Sequence, residues 1–297
     1  MPYQSIFAPG LFAGEVVIVT GGGSGIGRCI AHELVALGAK VALVGRKREK
    51  LDKVIAEIAD VGGEAAGWTC DIREEEAVAA TVKAILAHFG KINHLVNNAG
   101  GQFFAPLAAI SAKGWDAVVR NNLTGGFLMA RECVNQTMND RADAGDNIGI
   151  VNIIADMWNG MPGMAHSGAA RAGMLNFTET AALEWAPIRS NAVAPGWIAS
   201  SGMDNYPEER AQHIRTLHEK VPAARMGTES EVSAAVVFLL SKGASFISGT
   251  CLRVDGAAPQ AKRAWPWANS GVANPPFNGF HLAELPKVLQ KKETAKK

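Results

Sequence analysis

The sequence predicts an α/β fold: a single doubly wound parallel sheet of about seven strands, with helices on both faces. Three observations predict it. Short β-branched runs alternate with stretches of helical spacing along the chain. A glycine-rich turn sits between the first such run and the first helix. No linker-like composition interrupts residues 10–256.

Each element has its own reason. Residues 15–20, EVVIVT, are a β-branched run that ends in glycines, the pattern of a strand buried on both faces. Residues 25–37 place Ile26, Ile30, Leu34 and Leu37 on one helical face, and Gly38 stops the helix. Further strands are predicted at 41–44, 65–70, 92–96, 149–154, 189–194 and 250–254. Helices are predicted at 49–58, 74–89, 111–138, 167–185 and 229–240, with a more polar helical region at 204–219. Right-handed crossovers between parallel strands then wind the sheet in both directions. One domain is expected over 1–257, followed by an irregular C-terminal extension, 258–297. Its WPW at 265–267 and NPPF at 274–277 are too aromatic for plain linker, and they predict packing on the body or on a neighbouring subunit.

Composition narrows the function classes. A net charge of +1 on 297 residues gives no reason to expect nucleic acid or an acidic membrane as partner. The basic stretch 291–297 reads as a solvated terminus. No apolar run is long enough to span a bilayer. The four cysteines, Cys29, Cys70, Cys133 and Cys251, form no CxxC pair, so buried reduced thiols and no metal site are expected.

The turn TGGGSGIG at 20–27 carries the first chemical signal. Gly21 permits the tight turn, Gly25 lets backbone approach a pyrophosphate, and Gly27 allows close helix–strand packing. Ser24 and Ile26 complete the loop, whose free N–H groups and helix dipole favour an anion. The second strand ends in Gly45-Arg46-Lys47-Arg48, where an acid would bind a ribose 2′-hydroxyl. An arginine there holds a 2′-phosphate instead, so Arg46 predicts NADP(H) over NAD(H).

These residues, with Asp71-Ile72, NNAG at 97–100, NNLTG at 121–125, PG at 195–196 and VDG at 254–256, resemble the short-chain dehydrogenase/reductase superfamily. The resemblance implies a Rossmann-type sheet and a nicotinamide cofactor. Asp71 and Ile72 would border the adenine. Asn98, Ala99 and Gly100 would line the cofactor, and Pro195, Gly196, Ile198 and Ser200 would embrace the nicotinamide. It also implies a substrate lid near 200–222 and a homotetramer.

The family's catalytic set is Asn, Ser, Tyr and Lys, and here most of it is missing. Asn122 matches the asparagine. The serine would fall near Ala155. Ser167 stands in the tyrosine place and Arg171 in the lysine place. The only tyrosines are Tyr3 and Tyr206, and neither begins a YxxxK. HSGAARAG at 166–173 resembles the peroxisomal trans-2-enoyl-CoA reductase branch and the related 2,4-dienoyl-CoA reductases. The chain ends AKK, without the peroxisomal signal, so a cytoplasmic setting is expected.

A serine is a poor acid, and an arginine stays charged and cannot shuttle protons. Reduction of an alkene conjugated to a thioester needs an oxyanion site instead. The expected activity is therefore NADPH-dependent reduction of an enoyl-CoA or similar alkene. Asn122, Ser167 and His166 would polarise the acceptor oxygen, and Arg171 would hold the nicotinamide ribose. Asp156 reads as a proton relay, a substrate contact or a loop cap; His166 also reads as a packing residue, and Ser167 as a small helix-start residue. Trp158, Met161, Met164, Trp197 and Met203 suit an apolar substrate chain or core packing. Arg210, Arg215 and Lys220 read as solvated lid charges or as contacts to a CoA phosphate. Two rival readings remain: a citronellol- or citronellal-type dehydrogenase, and an NADP-binding protein that has lost catalysis.

Overall fold

The computed structural model describes residues 2–206, 208–261 and 271–290. Its centre is a seven-stranded, all-parallel sheet in the order β3-β2-β1-β4-β5-β6-β7. The strands are β1 (Val16–Thr20), β2 (Lys40–Gly45), β3 (Ala65–Thr69), β4 (His94–Asn97), β5 (Gly149–Ile153), β6 (Arg189–Pro195) and β7 (Cys251–Val254). The helices α1 (Gly25–Ala36), α2 (Arg48–Ala59) and α3 (Glu75–Phe89) cross between the first four strands. The Rossmann-type α/β fold expected from the sequence is the fold observed.

Alternation along each strand divides the core. Val17 and Val19 of β1, with Val41 and Leu43 of β2, join Ile30 and Leu34 of α1 and Val54 of α2 on one face. Ile18, Ala42 and Val44 point the other way, to Val78, Val82 and Ile85 of α3. Both faces are covered, so the central strands are buried along their length and mostly apolar, with Thr20, His94, Asn97 and Asn152 as buried polar exceptions. The order reverses between β1 and β4, which opens a crevice at the carboxyl ends of the strands.

Three expected elements differ. The helix predicted at 111–138 is a composite: α4 (Ala112–Val119), a π turn (Arg120–Thr124), α5 (Gly125–Cys133), a second π turn (Val134–Met138) and α6 (Asn139–Asp143). The first π turn contains Asn122, and such bulges are enriched at functional sites. The helix α7 (Ala165–Glu184) starts two residues earlier than predicted, which brings His166 into its first turn. The polar region expected at 204–219 is mostly 3₁₀ turn, with one short helix, α8 (Ala211–Arg215). The last helix, α9 (Glu229–Leu240), begins with a capping box between Thr228 and Glu231.

Cys29, Cys70 and Cys133 are buried and Cys251 half-buried, and all four are free thiols. The C-terminal extension does pack on the body: Phe280 is 2% exposed and sits against Tyr3 and Cys29. The WPW stretch and the basic end lie outside the described residues.

Candidate active site

The loop from β1 to α1 is built for an anion. Gly21 and Gly25 both have left-handed φ, +66° and +58°, which a side chain would strain. Ser24 is the N-cap of α1 and makes no side-chain cap bond among the described residues, which leaves the first-turn N–H groups available to a ligand. A β-carbon on Gly27 would lie 2.5 Å from Gly21 O, so this glycine serves helix–strand packing.

Above this loop runs a groove of about 670 Å³. Gly21, Ser24, Gly25, Ile26, Arg46, Asp71, Ile72, Asn98, Ala99, Gly100, Arg171, Pro195, Gly196 and Ser200 all line it. Of the residues predicted to hold a cofactor, Gly27 and Ile198 do not; Ile198 lines the neighbouring cavity. Lys47 and Lys50 join Arg46 at one end, a signal legible in the first turn of α2 but not assigned. Asp71 is held by Arg73, whose Nε donates to it at 2.8 Å, and these bonds keep its carboxyl down near a pKa of about 2. Free N–H groups, glycine clearance and a basic end fit a phosphate-bearing dinucleotide.

A second cavity of about 730 Å³ opens from the groove at Ala155, Pro195 and Gly196. Trp158, Met161, Met164, Trp197 and Met203 all line it, as do Ile214 and Leu217 of the lid. The half-buried Asp156 is an acid in its wall. Its Oδ1 has no partner among the described residues, and burial, reinforced by Asp255, raises its pKa above the usual carboxylate range. Arg210 lies over the Phe104 ring at 3.8 Å on the same wall.

The predicted catalytic residues divide into two groups. Arg171 lines the groove; its Nη1 donates to Ile153 O at 2.6 Å. A β-carbon on Gly100 would collide with Arg171 Nη2 and lie 2.7 Å from Asn122 Oδ1. Burial lowers the Arg171 pKa to about 10, so the guanidinium stays charged at neutral pH. Asn122, 2% exposed, lines neither cavity. Its Nδ2 donates to Gly101 O at 2.7 Å and to Val118 O at 2.8 Å, and its Oδ1 accepts from Gly101 N at 3.1 Å. Its amide is used in fastening the groove wall to the π turn.

His166 and Ser167 also line neither cavity. Ser167 N donates to His166 Nδ1 at 2.8 Å, and the Phe103 and His166 rings meet nearly perpendicular with centroids 4.4 Å apart. His166 Nε2 and Ser167 Oγ have no partner among the described residues. Sequence reasoning did not single out Phe103 as the aromatic partner of His166. It also missed Tyr206, which lines both cavities from the lid.

Comparison with known proteins now bears on this site. A family model described as enoyl-(acyl carrier protein) reductase matches residues 21–257. The chain belongs to the short-chain dehydrogenase/reductase superfamily. A probable 2,4-dienoyl-CoA reductase of Bacillus subtilis is 35% identical over 247 residues, 82% of this chain and 95% of that one. A solved citronellol catabolism dehydrogenase of Pseudomonas aeruginosa PAO1 is 59% identical with a TM-score of 0.77, covering 87% of this chain and 100% of that chain. An actinorhodin polyketide ketoreductase solved with NADPH is 30% identical with a TM-score of 0.78, covering 85% and 99%. This short-chain dehydrogenase/reductase is thus an oxidoreductase of a family that uses nicotinamide cofactors. No helix among the described residues is long and apolar enough to cross a membrane.

Proposed function

We propose that this reductase uses NADPH to reduce a C=C bond conjugated to a thioester, on an acyl chain lodged in the apolar cavity. The observation that carries the reading is Arg171: a buried guanidinium lines the groove where the family has its lysine. A carbonyl reduction needs a proton delivered to oxygen, and a guanidinium that holds its charge cannot deliver one. It can oppose the negative charge of an enolate in a poorly solvated site.

The groove residues would hold NADPH, which would supply the hydride for the β-carbon. Arg171 then faces the charge that gathers towards the carbonyl. Asp156, kept protonated to higher pH by burial, gives a proton to the α-carbon. Arg46, Lys47 and Lys50 favour a 2′-phosphate and hence NADPH. Arg210 has no carboxylate partner among the described residues, which suits a phosphate-bearing carrier such as CoA better than a neutral terpenoid.

A second reading is oxidation of an acyclic terpenoid alcohol, favoured by the citronellol catabolism relative at 59% identity. The test follows NADPH oxidation with a medium-chain trans-2-enoyl-CoA and with citronellal in parallel. Turnover of the thioester is expected. Turnover of citronellal alone transfers the function to the second reading. Equal efficiency with NADH removes the cofactor preference.

A further inference from the structure

We infer that Tyr206, carried in on the lid, is the hydroxyl donor to the substrate's carbonyl oxygen. The inference rests on the thioester reading above for its substrate. It fills the function that Ser167 is placed too deep to perform.

Position comes first. The Tyr206 side chain lines both the groove and the apolar cavity. Its hydroxyl accepts from Gln102 Nε2 at 3.4 Å and donates to Met164 Sδ at 3.8 Å. Both bonds are weak: one is long, and a thioether is a poor acceptor. The phenolic proton is therefore available to a better acceptor. Met164 is the N-cap of α7, so the phenol reaches the end of the helix on which the family's tyrosine would start. The other tyrosine is committed elsewhere, with Tyr3 Oη donating to Glu33 Oε2 at 3.0 Å.

The lid would not hold this position by itself. It is mostly 3₁₀ turn around the five residues of α8, too short to be stable alone. The C-terminal segment supplies the missing support. Val288 and Leu289 pack on Met203, Ile214 and Leu217, the residues whose other sides face the cavity. Val288 also grips both ends of the lid. Its N–H donates to Asp204 Oδ1 at 3.3 Å, and its carbonyl accepts from Arg215 Nε at 2.8 Å. This segment lies outside the family match, which ends at residue 257.

The step balances. As hydride adds to the β-carbon, the C=C pair moves between the α- and carbonyl carbons, and the C=O pair moves onto oxygen. Tyr206 hydrogen-bonds that oxygen and keeps its proton. The α-carbon takes its proton from Asp156, whose carboxylate regains one from solvent.

The test compares wild type with Tyr206→Phe on whichever of a medium-chain trans-2-enoyl-CoA or citronellal the wild type reduces. For the phenol-deleted variant, kcat is expected to fall by ~10²-fold or more. KM and the NADPH Kd, read by its fluorescence, should stay within about threefold. Arg215→Met keeps the phenol but cuts one clamp, and should lower kcat by a smaller factor, about three- to tenfold. A kcat for Tyr206→Phe within about threefold of wild type overturns the inference. So does a rise in KM alone, which would make Tyr206 a wall of the cavity. If the wild type reduces neither substrate, the substrate reading itself falls, and this inference with it.

Discussion

Arg171 keeps a full charge in a place that penalises charge, 8% exposed and hydrogen-bonded through Nη1 to Ile153 O. Such an arrangement has a use if negative charge arrives during the reaction. Arg171→Met is expected to lower kcat by ~10²-fold, and Arg171→Lys by less, because an ammonium restores charge but not the fork. Circular dichroism of each variant separates this from misfolding. Asp156 gives a second expectation. Its carboxyl is raised by burial, and it acts in the protonated form, so kcat should fall as pH rises through that raised value. Asp156→Asn should lower kcat and remove that limb of the pH–rate profile; a retained limb assigns it to another group. The residues of the phosphate loop could be read directly, because Gly21 and Gly25 act through local φ and sit between a strand and a helix adjacent in sequence. Ser167 and Tyr206 could not. Ser167 is buried at the start of α7 beside His166, whose ring meets Phe103, and whether Tyr206 faces the cleft depends on where a lid lands, both matters of contact between distant segments.

At the level of elements, the start of α9 links the phosphate loop, the lid and the tail. Glu229 is its first residue, and a β-carbon on Gly25 would lie 3.7 Å from Glu229 Oε1 and 3.4 Å from Ser201 Oγ. Burial raises the Glu229 pKa to about 7, and Glu284 of the tail pushes the same way; Arg28 and the Ser201 backbone N–H oppose them. Between pH 4.5 and about 7 the folded chain holds a proton on Glu229 that the unfolded chain releases. Stability from this group therefore falls as pH rises across that window and is flat above it. Glu229→Gln removes the change, so the variant should gain on wild type with rising pH, by on the order of 2 kcal/mol near pH 8. Urea midpoints at pH 5 and pH 8 check it: an equal offset at both would show that Glu229 titrates normally. The capping box of α9 was not anticipated either, although Thr228 and Glu231 stand at its spacing.

Over the whole molecule, the sheet and its helices were legible because strand burial and helix periodicity repeat with fixed local rules. The tail was legible only as something that packs, because its partners lie far away in sequence. Phe280 stacks on Tyr3 with ring centroids 6.0 Å apart and lies under Arg28, whose guanidinium is 5.1 Å from its ring. Its N–H donates to Ser230 Oγ at 3.1 Å, and Phe277 O accepts from Thr228 Oγ1 at 2.6 Å. Eight residues further on, Val288 holds the lid. The tail therefore has a rigid anchor on α1 and α9 and a working end at the substrate cavity, and the two should respond differently to mutation. Phe280→Ala opens a cavity in the anchor and is expected to cost about 3 kcal/mol, lowering the melting temperature by roughly 6–12 °C. Val288→Asp leaves the anchor intact. It should move the melting temperature much less, by under about 3 °C, while speeding amide exchange in residues 201–217. Equal losses of melting temperature in both variants would mean that the tail unfolds as one piece with the body, and that the lid borrows its order from the sheet rather than from Val288.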